Sequence, residues 1–250
     1  MPRYFLETAY KGTRFSGFQS QQNAVTIQSE IERAFAVLHR QPVCLTGSSR
    51  TDAGVHAIQN YFHFDYAGDL DPHFLYKINA ILPGDIVIRQ VIPVSPTAHS
   101  RFDAVSREYK YFLYGAKNPF LQDRAYFYPY RLDLDRLREA ASLIREYRDF
   151  TSFSKRNTQV KTFLCAVRES EWLQEGDCLV YHVRANRFLR GMVRALTATM
   201  LRVGRGILSI EEFREVIEAR DCTRASFAVP AHGLFLVAVD YPEGYFARTS

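Results

Sequence analysis

The sequence is poor in the residues that staple small extracellular or metal-built domains. Only four cysteines occur among its 250 residues, at Cys44, Cys165, Cys178 and Cys222, with no Cys-x-x-Cys pair and no histidine spaced to complete a tetrahedral site. Disulfides and structural zinc are therefore not expected. Long apolar runs are missing as well: the longest, Leu234 to Val239, falls far short of the roughly 20 residues a membrane helix needs. Glu7 and Thr8 interrupt anything near the start that could act as an apolar leader, so a cytoplasmic protein with no membrane partner is expected. There is no Gly-x-x-x-x-Gly-Lys phosphate loop, no Gly-x-Gly-x-x-Gly after a strand, no nucleophile elbow and no zinc-deaminase signature. These absences weigh against energy-coupled, dinucleotide-dependent and zinc chemistry.

What remains is an ordinary globular composition. Hydrophobic residues make up 47% and charged residues 24%, which excludes a disordered chain, a collagen-like repeat and a coiled coil. Lys and Arg exceed Asp and Glu by 32 to 27, a net charge of +5, so the chain is mildly basic without a polybasic tail. Its length suits two modest domains.

Patterning along the chain gives an element order. Tyr4 to Ala9 reads as a strand, and Thr26 can cap a helix with a stripe at Ile27, Ile31, Phe35 and Leu38 that Pro42 stops. A short strand at Val43 to Leu45, a turn at Asp52-Ala53-Gly54, a strand through Tyr61 to Phe64, a helix opened by Asp71-Pro72 and a strand from Ile86 to Val94 complete the first set. The second half repeats the order. A strand from Tyr109 to Tyr114 precedes a helix through Leu134, Leu137, Ala141 and Ile144, and strands follow near Phe163 to Trp172 and Cys178 to Ala185. A long helix is expected from Arg187 to Val203, a short one from Ile210 to Ala219, and a last strand from Leu234 to Asp240. The expected fold class is α+β: two ferredoxin-like βαββαβ halves, residues 1–103 and 104–250, with antiparallel sheets side by side and a central cleft. Such a fold hosts RNA-binding modules, metal carriers and enzymes alike, so the residues have to decide the chemistry.

Three constellations carry chemistry. Gly47-Ser48-Ser49-Arg50-Thr51-Asp52-Ala53-Gly54-Val55-His56 lies between two strands. It fits a plain polar turn, but it also places Asp52 beside Arg50, and a carboxylate held ionised by a cation suits covalent catalysis. Arg187, Arg190 and Arg194 fall at i, i+3 and i+7 of the expected long helix, and no Asp or Glu occurs from Arg184 to Arg205. This is either a solvated face or a contact for phosphate oxygens. In the strand around Tyr109 and Tyr111, a tyrosine is ordinarily a core residue, yet in a nucleic-acid cleft it can stack on an extruded base and exchange a proton.

The segment Arg50-Thr51-Asp52-Ala53-Gly54-Val55-His56 resembles the motif around the catalytic aspartate of the bacterial tRNA pseudouridine synthase A family. Tyr10-Lys11-Gly12 with Phe15, Gly17-Phe18-Gln19 and Gln28 resembles the family's opening motif. Asn79 with Leu82-Pro83-Gly84-Asp85, Arg101-Phe102 with Arg107-Glu108-Tyr109, and Asp149 to Phe153 resemble later ones. Met192-Val193-Arg194, Gly233-Leu234 and Val239-Asp240-Tyr241 complete the series in family order over nearly the whole chain.

The resemblance implies an isomerase that converts uridine to pseudouridine in the anticodon stem-loop of tRNA, at positions 38, 39 and 40, with no metal and no organic cofactor. It implies Asp52 as nucleophile, Tyr109 packed on the target base, Arg194 as basic partner of the aspartate and Arg50 as the arginine that displaces the base. Arg187 and Arg190 are candidate substrate contacts, and the family pattern is a homodimer with one tRNA spanning both subunits. Asp52 could attack C1′ or C6, or act through a glycal, and these routes stay open. Ser49, Phe18 and Lys11 depart from the family pattern, and Ser49 replaces a glycine that often supplies a positive φ. Two other readings compete: a non-catalytic RNA-binding protein, and a synthase acting on a different uridine.

Overall fold

A computed structural model of the chain describes residues 1–68, 70–156 and 160–246; the last four residues of the 104–250 half lie outside them. The fold is α+β, and the chain divides into two compact units, Met1–Val105 with Leu236–Ser250 and Ser106–Phe235.

The first unit contains β1 (Arg3–Tyr10), α1 (Ile27–His39), β2 (Thr46–Gly47), β3 (His56–Asp65), α2 (Phe74–Ile81) and β4 (Ile86–Val94). Its sheet runs β4-β1-β3 with β2 beside β3, and the pairs β1·β3, β1·β4 and β2·β3 are antiparallel. The final strand of the chain, β9 (Leu234–Asp240), lies next to β3. Thr26 starts α1 as expected, through a reciprocal capping box with Ser29, and Arg40 ends it in the left-handed region at φ 54°. Alternation then divides the sheet into two faces. On one, Phe64 meets Phe35 of α1 at 5.0 Å; on the other, Phe5 meets Tyr61, Tyr241, Tyr245 and Phe246, so residues from the end of the chain cover what the helices do not.

The strand expected at Val43 to Leu45 is not formed, because α1 takes its hydrogen-bonding groups. The Leu45 amide donates to Glu32 Oε1 and its carbonyl accepts from Gln28 Nε2, leaving pairing to begin at Thr46. The helix after Asp71-Pro72 starts later than expected, at Phe74, after a turn in which Asp71 accepts from the His73 amide.

The second unit contains β5 (Ser106–Tyr114), β6 (Tyr126–Phe127), α3 (Leu134–Ile144), β7 (Val167–Glu175), β8 (Cys178–Ala185), α4 (Met192–Gly204) and α5 (Ile210–Glu218). Its strands run β5-β8-β7, both pairs antiparallel, with β6 parallel to β5. Asp133 caps α3, Ser209 caps α5 with Glu212 in a capping box, and Phe153 meets Phe213 of α5 in the core. β7 begins at Val167, not Phe163, because the Cys165 amide bonds to the Arg148 carbonyl and Leu164 bridges to Asp149.

The largest correction concerns α4. Arg187 to Gly191 are not helical; Gly191 sits at φ +76° and the helix starts at Met192. A left-handed glycine cannot continue a right-handed turn, so Arg187 and Arg190 stand on a loop and do not share a helix face with Arg194. α4 itself is a core helix, with Met192, Val193, Leu196, Met200, Leu201 and Val203 all buried. Its buried Thr197 and Thr199 hydroxyls donate to the Val193 and Ala195 carbonyls, so their burial leaves no hydroxyl unpaired. No helix among the described residues is long and apolar enough to cross a membrane.

Candidate functional site

The loop carrying Asp52 is fixed from below by a buried polar network. Asn60, fully buried in the middle of β3, uses its whole hydrogen-bonding capacity. Its Oδ1 accepts from the Ser48 hydroxyl (2.7 Å) and the Tyr61 amide (2.9 Å), while Nδ2 donates to the Tyr10 hydroxyl (3.1 Å) and the Ser49 carbonyl (3.0 Å). The Tyr10 hydroxyl in turn lies 2.8 Å from the Thr51 hydroxyl. Thr51 is buried whereas Asp52 is half-buried, so the Thr51 side chain anchors the loop beside the aspartate. Gly54, at φ +79°, completes the turn that lets the Val55 amide donate to the Asp52 carbonyl at 3.2 Å.

The opening segment lies directly on this loop. Phe18 donates its amide to the Thr51 carbonyl (3.2 Å), and Gly12 donates to His56 Nδ1 (3.1 Å). Two glycines permit the approach. A Cβ on Gly12 would stand 2.0 Å from the Val55 carbonyl oxygen, and Gly17, at φ +102°, passes the Thr51 carbonyl where a Cβ would sit at 3.3 Å. Replacing Gly12 by Ala is expected to destabilise the protein by about 1–3 kcal/mol through this clash with backbone. Thermal unfolding checks this; an unchanged melting temperature would contradict the packing argument.

The three departures from the family pattern fit the structure. Ser49 does not require a left-handed backbone: the non-glycine residues at positive φ among those described are Asn23, Arg40 and Arg220. Phe18 stacks on Phe62 with centroids 4.4 Å apart, and Gly47 lies so close that a Cβ there would come within 2.2 Å of the ring. The Lys11 side chain is exposed, while its amide donates to the Asp85 carbonyl. The Asn79 motif also acquires a physical reason. Its side chain accepts from the Ile88 amide and donates to the Ile88 carbonyl, both at 2.8 Å, tying α2 to β4.

Arg50 is exposed on the Asp52 loop. Tyr109, Arg187, Arg190 and Arg194 belong to the second unit. Tyr109, 9% exposed on β5, pairs with Val183, and its ring meets Phe188 edge-on at 5.0 Å. Arg194, in the first turn of α4, directs Nε and Nη2 at the Val229 carbonyl (3.0 and 2.6 Å), which fixes the guanidinium plane. On the opposite face of the sheet, Glu108 lies 3.1 Å from His182 Nε2 and 3.9 Å from Arg184, so Arg184 faces acids and adds little to the positive run. Arg190 is exposed and Arg187 half-buried; the Arg190 carbonyl accepts from the Lys155 amide, bringing the loop of Lys155 and Arg156 beside it.

Sequence reasoning missed Asn60 and Val229. Asn60 left a signal, a polar residue at an inward position of an apolar strand; Val229 left none, because it acts through its carbonyl. Among the described residues no group of three or more His, Cys, Asp or Glu is arranged to hold a metal ion.

A family model described as tRNA pseudouridine synthase matches residues 8–103 and 147–242. A tRNA pseudouridine synthase A from Parabacteroides distasonis is 49% identical, over 98% of this chain and 98% of its own. The enzyme of that name from Porphyromonas gingivalis is 45% identical over 98% of this chain and 100% of its own, and that from Staphylococcus aureus 37% over 94% and 89%.

Proposed function

Because the chain belongs to the tRNA pseudouridine synthase family, we propose that it isomerises uridine within the anticodon stem-loop of tRNA and that Asp52 is its nucleophile. As a member of that family it is an isomerase that modifies tRNA. The observation that carries the site assignment is the Asp52 loop: a half-buried carboxylate on a turn whose neighbours Ser48, Ser49 and Thr51 are held by buried hydrogen bonds is preorganised for attack.

The reaction breaks the C1′–N1 bond, turns the detached uracil, and forms a C5–C1′ bond with loss of the C5 hydrogen. An ionised Asp52 carries charge to the sugar or the base. In this reading Arg194, its guanidinium oriented by the Val229 carbonyl, is the basic partner of the aspartate. Tyr109 packs on the uracil and offers a phenol for proton transfer, and Arg50, exposed on the same loop as Asp52, displaces the base from its helix. The two units are read as ferredoxin-like halves, with the aspartate in residues 1–103 and the tyrosine and arginines in residues 104–250. The sheet order β4-β1-β3-β2 of the first unit supports this. In this reading the enzyme is cytoplasmic and, following the resemblance, a homodimer with tRNA as its macromolecular partner.

The test is tritium release from C5-tritiated uridine in an unmodified tRNA transcript, with pseudouridine mapped by carbodiimide-dependent primer-extension stops. Release with stops on the 3′ side of the anticodon stem-loop is expected. Stops elsewhere would move the target uridine, and tight binding without release would favour a non-catalytic RNA-binding protein.

The arginine loop gives a separate expectation. With Arg190 exposed and flanked by the Lys155 segment, Arg190→Ala is expected to weaken tRNA binding for all sequences and to reduce the slope of log affinity against log salt by about 1. Binding titrations at several salt concentrations check this. An unchanged slope would return Arg190, and with it the case for Arg187, to the solvated surface.

A further inference from the structure

One turn of the first unit is anchored more heavily than its length requires. Ser100 is fully buried; its hydroxyl donates to the Thr46 carbonyl at 2.9 Å, its amide donates to His63 Nδ1 at 3.2 Å, and its carbonyl accepts from the Tyr241 hydroxyl at 2.6 Å. Asp103 accepts from the His99 amide (2.8 Å) and from the Tyr245 hydroxyl (2.6 Å), while His99 Nδ1 accepts from the amides of Arg101 (3.1 Å) and Phe102 (3.3 Å). The turn so fixed presents two exposed side chains, Arg101 and Phe102, and the Phe102 ring is 74% exposed.

A series of rings leads out to it. Phe5 in the core stacks with His63 at 6.1 Å, His63 meets His99 edge-on at 4.6 Å, and His99 meets Phe102 at 4.2 Å, with the Arg101 guanidinium 5.8 Å from the Phe102 centroid. Burial lowers the pKa of both histidines, to about 4 for His63, so both rings are neutral near pH 7. The series thus ends in a flat apolar face open to water beside a cation.

We propose that Phe102 and Arg101 form a stacking contact for an unpaired base of the substrate tRNA, the ring taking the base and the guanidinium the adjoining phosphate. The proposal rests on tRNA being the substrate. Rigid anchoring reduces the ordering cost of binding, which an exposed aromatic on a mobile loop would incur in full. A base stacked on an aromatic needs one ring face, whereas a stable protein interface buries about 800 Å² per partner, far more than this turn supplies. Guanidinium beside the ring complements the phosphate that accompanies every base.

The experiment compares wild type, Phe102→Ala and Phe102→Trp for binding to an unmodified tRNA transcript and to a fully paired RNA duplex, alongside tritium release and sedimentation. Because Phe102 is exposed, the melting temperature is expected to hold in both variants. Phe102→Ala is expected to weaken tRNA binding on the order of ten-fold and to leave duplex binding alone, and Phe102→Trp to restore the tRNA affinity. Wild-type tRNA affinity in Phe102→Ala, or equal losses on tRNA and duplex, would overturn the proposal. So would conversion to a smaller sedimenting species, which would make the ring a contact between copies of the chain. If the wild type binds tRNA but releases no tritium, the synthase reading fails while the binding comparison still decides the stacking contact.

Discussion

Asp52→Asn is expected to abolish pseudouridine formation, by at least about 10⁴-fold in single-turnover rate, while tRNA affinity stays close to wild type. The substitution is nearly isosteric and removes only the charge. The turn is held through the Asp52 carbonyl and the buried side chains of Tyr10, Ser48, Thr51 and Asn60, none of which the substitution touches. The folded loop therefore persists without a nucleophile, and an amide can neither attack C1′ or C6 nor take a C2′ proton at useful rates. Tritium release and a binding titration on the same protein separate the two quantities. Residual turnover near wild type would remove Asp52 from its role; a parallel loss of affinity would make it a binding residue.

The second large effect is expected at Tyr109, where Phe keeps the ring and deletes the hydroxyl. The ring's edge contact with Phe188 and its place opposite Val183 survive the change, so base stacking and tRNA binding are expected to survive with it. Turnover is expected to fall by about 10²- to 10⁴-fold, the usual contribution of a positioned proton donor or acceptor. Tyr111, two residues on, shows the other way a strand tyrosine is used. Fully buried, it donates its hydroxyl to the Pro230 carbonyl at 2.7 Å, and burial raises its pKa, so it serves the core and holds its proton. Rates for Tyr109→Phe within about three-fold of wild type would assign Tyr109 a stacking role only, since that lies well below the proton-transfer contribution.

Elements with strong local signals were legible in the sequence. β4 and β9 fall where β-branched runs end at proline or aspartate, and α3 falls on its apolar stripe, because local preference and burial agree there. The α1 stop was legible at Pro42, but the left-handed Arg40 that actually ends it was not. Failures came where a side chain outcompeted backbone pairing, as Gln28 and Glu32 do at Leu45, or where one glycine conformation broke a periodic run, as Gly191 does before α4. A 3.6-residue spacing of arginines cannot reveal that the backbone beneath them is not helical. At the site, Asp52 stood out because its motif is dense and unusual, whereas the groups that hold it act through long-range contacts: Asn60 shows only as a polar residue at an inward position of an apolar strand, and the Val55 carbonyl over Gly12 leaves no local pattern.

The return of β9 to the first unit sets an order of assembly. The chain leaves that unit at Val105 and rejoins it at Leu236, so β3 lacks its neighbour, and Phe5 its cover from Tyr241 and Tyr245, until the whole second unit has been synthesised. During translation, domains ordinarily close from the N-terminus onward. Here the unit translated first is completed last, although every hydrogen bond described as holding the Asp52 loop comes from residues before Val105.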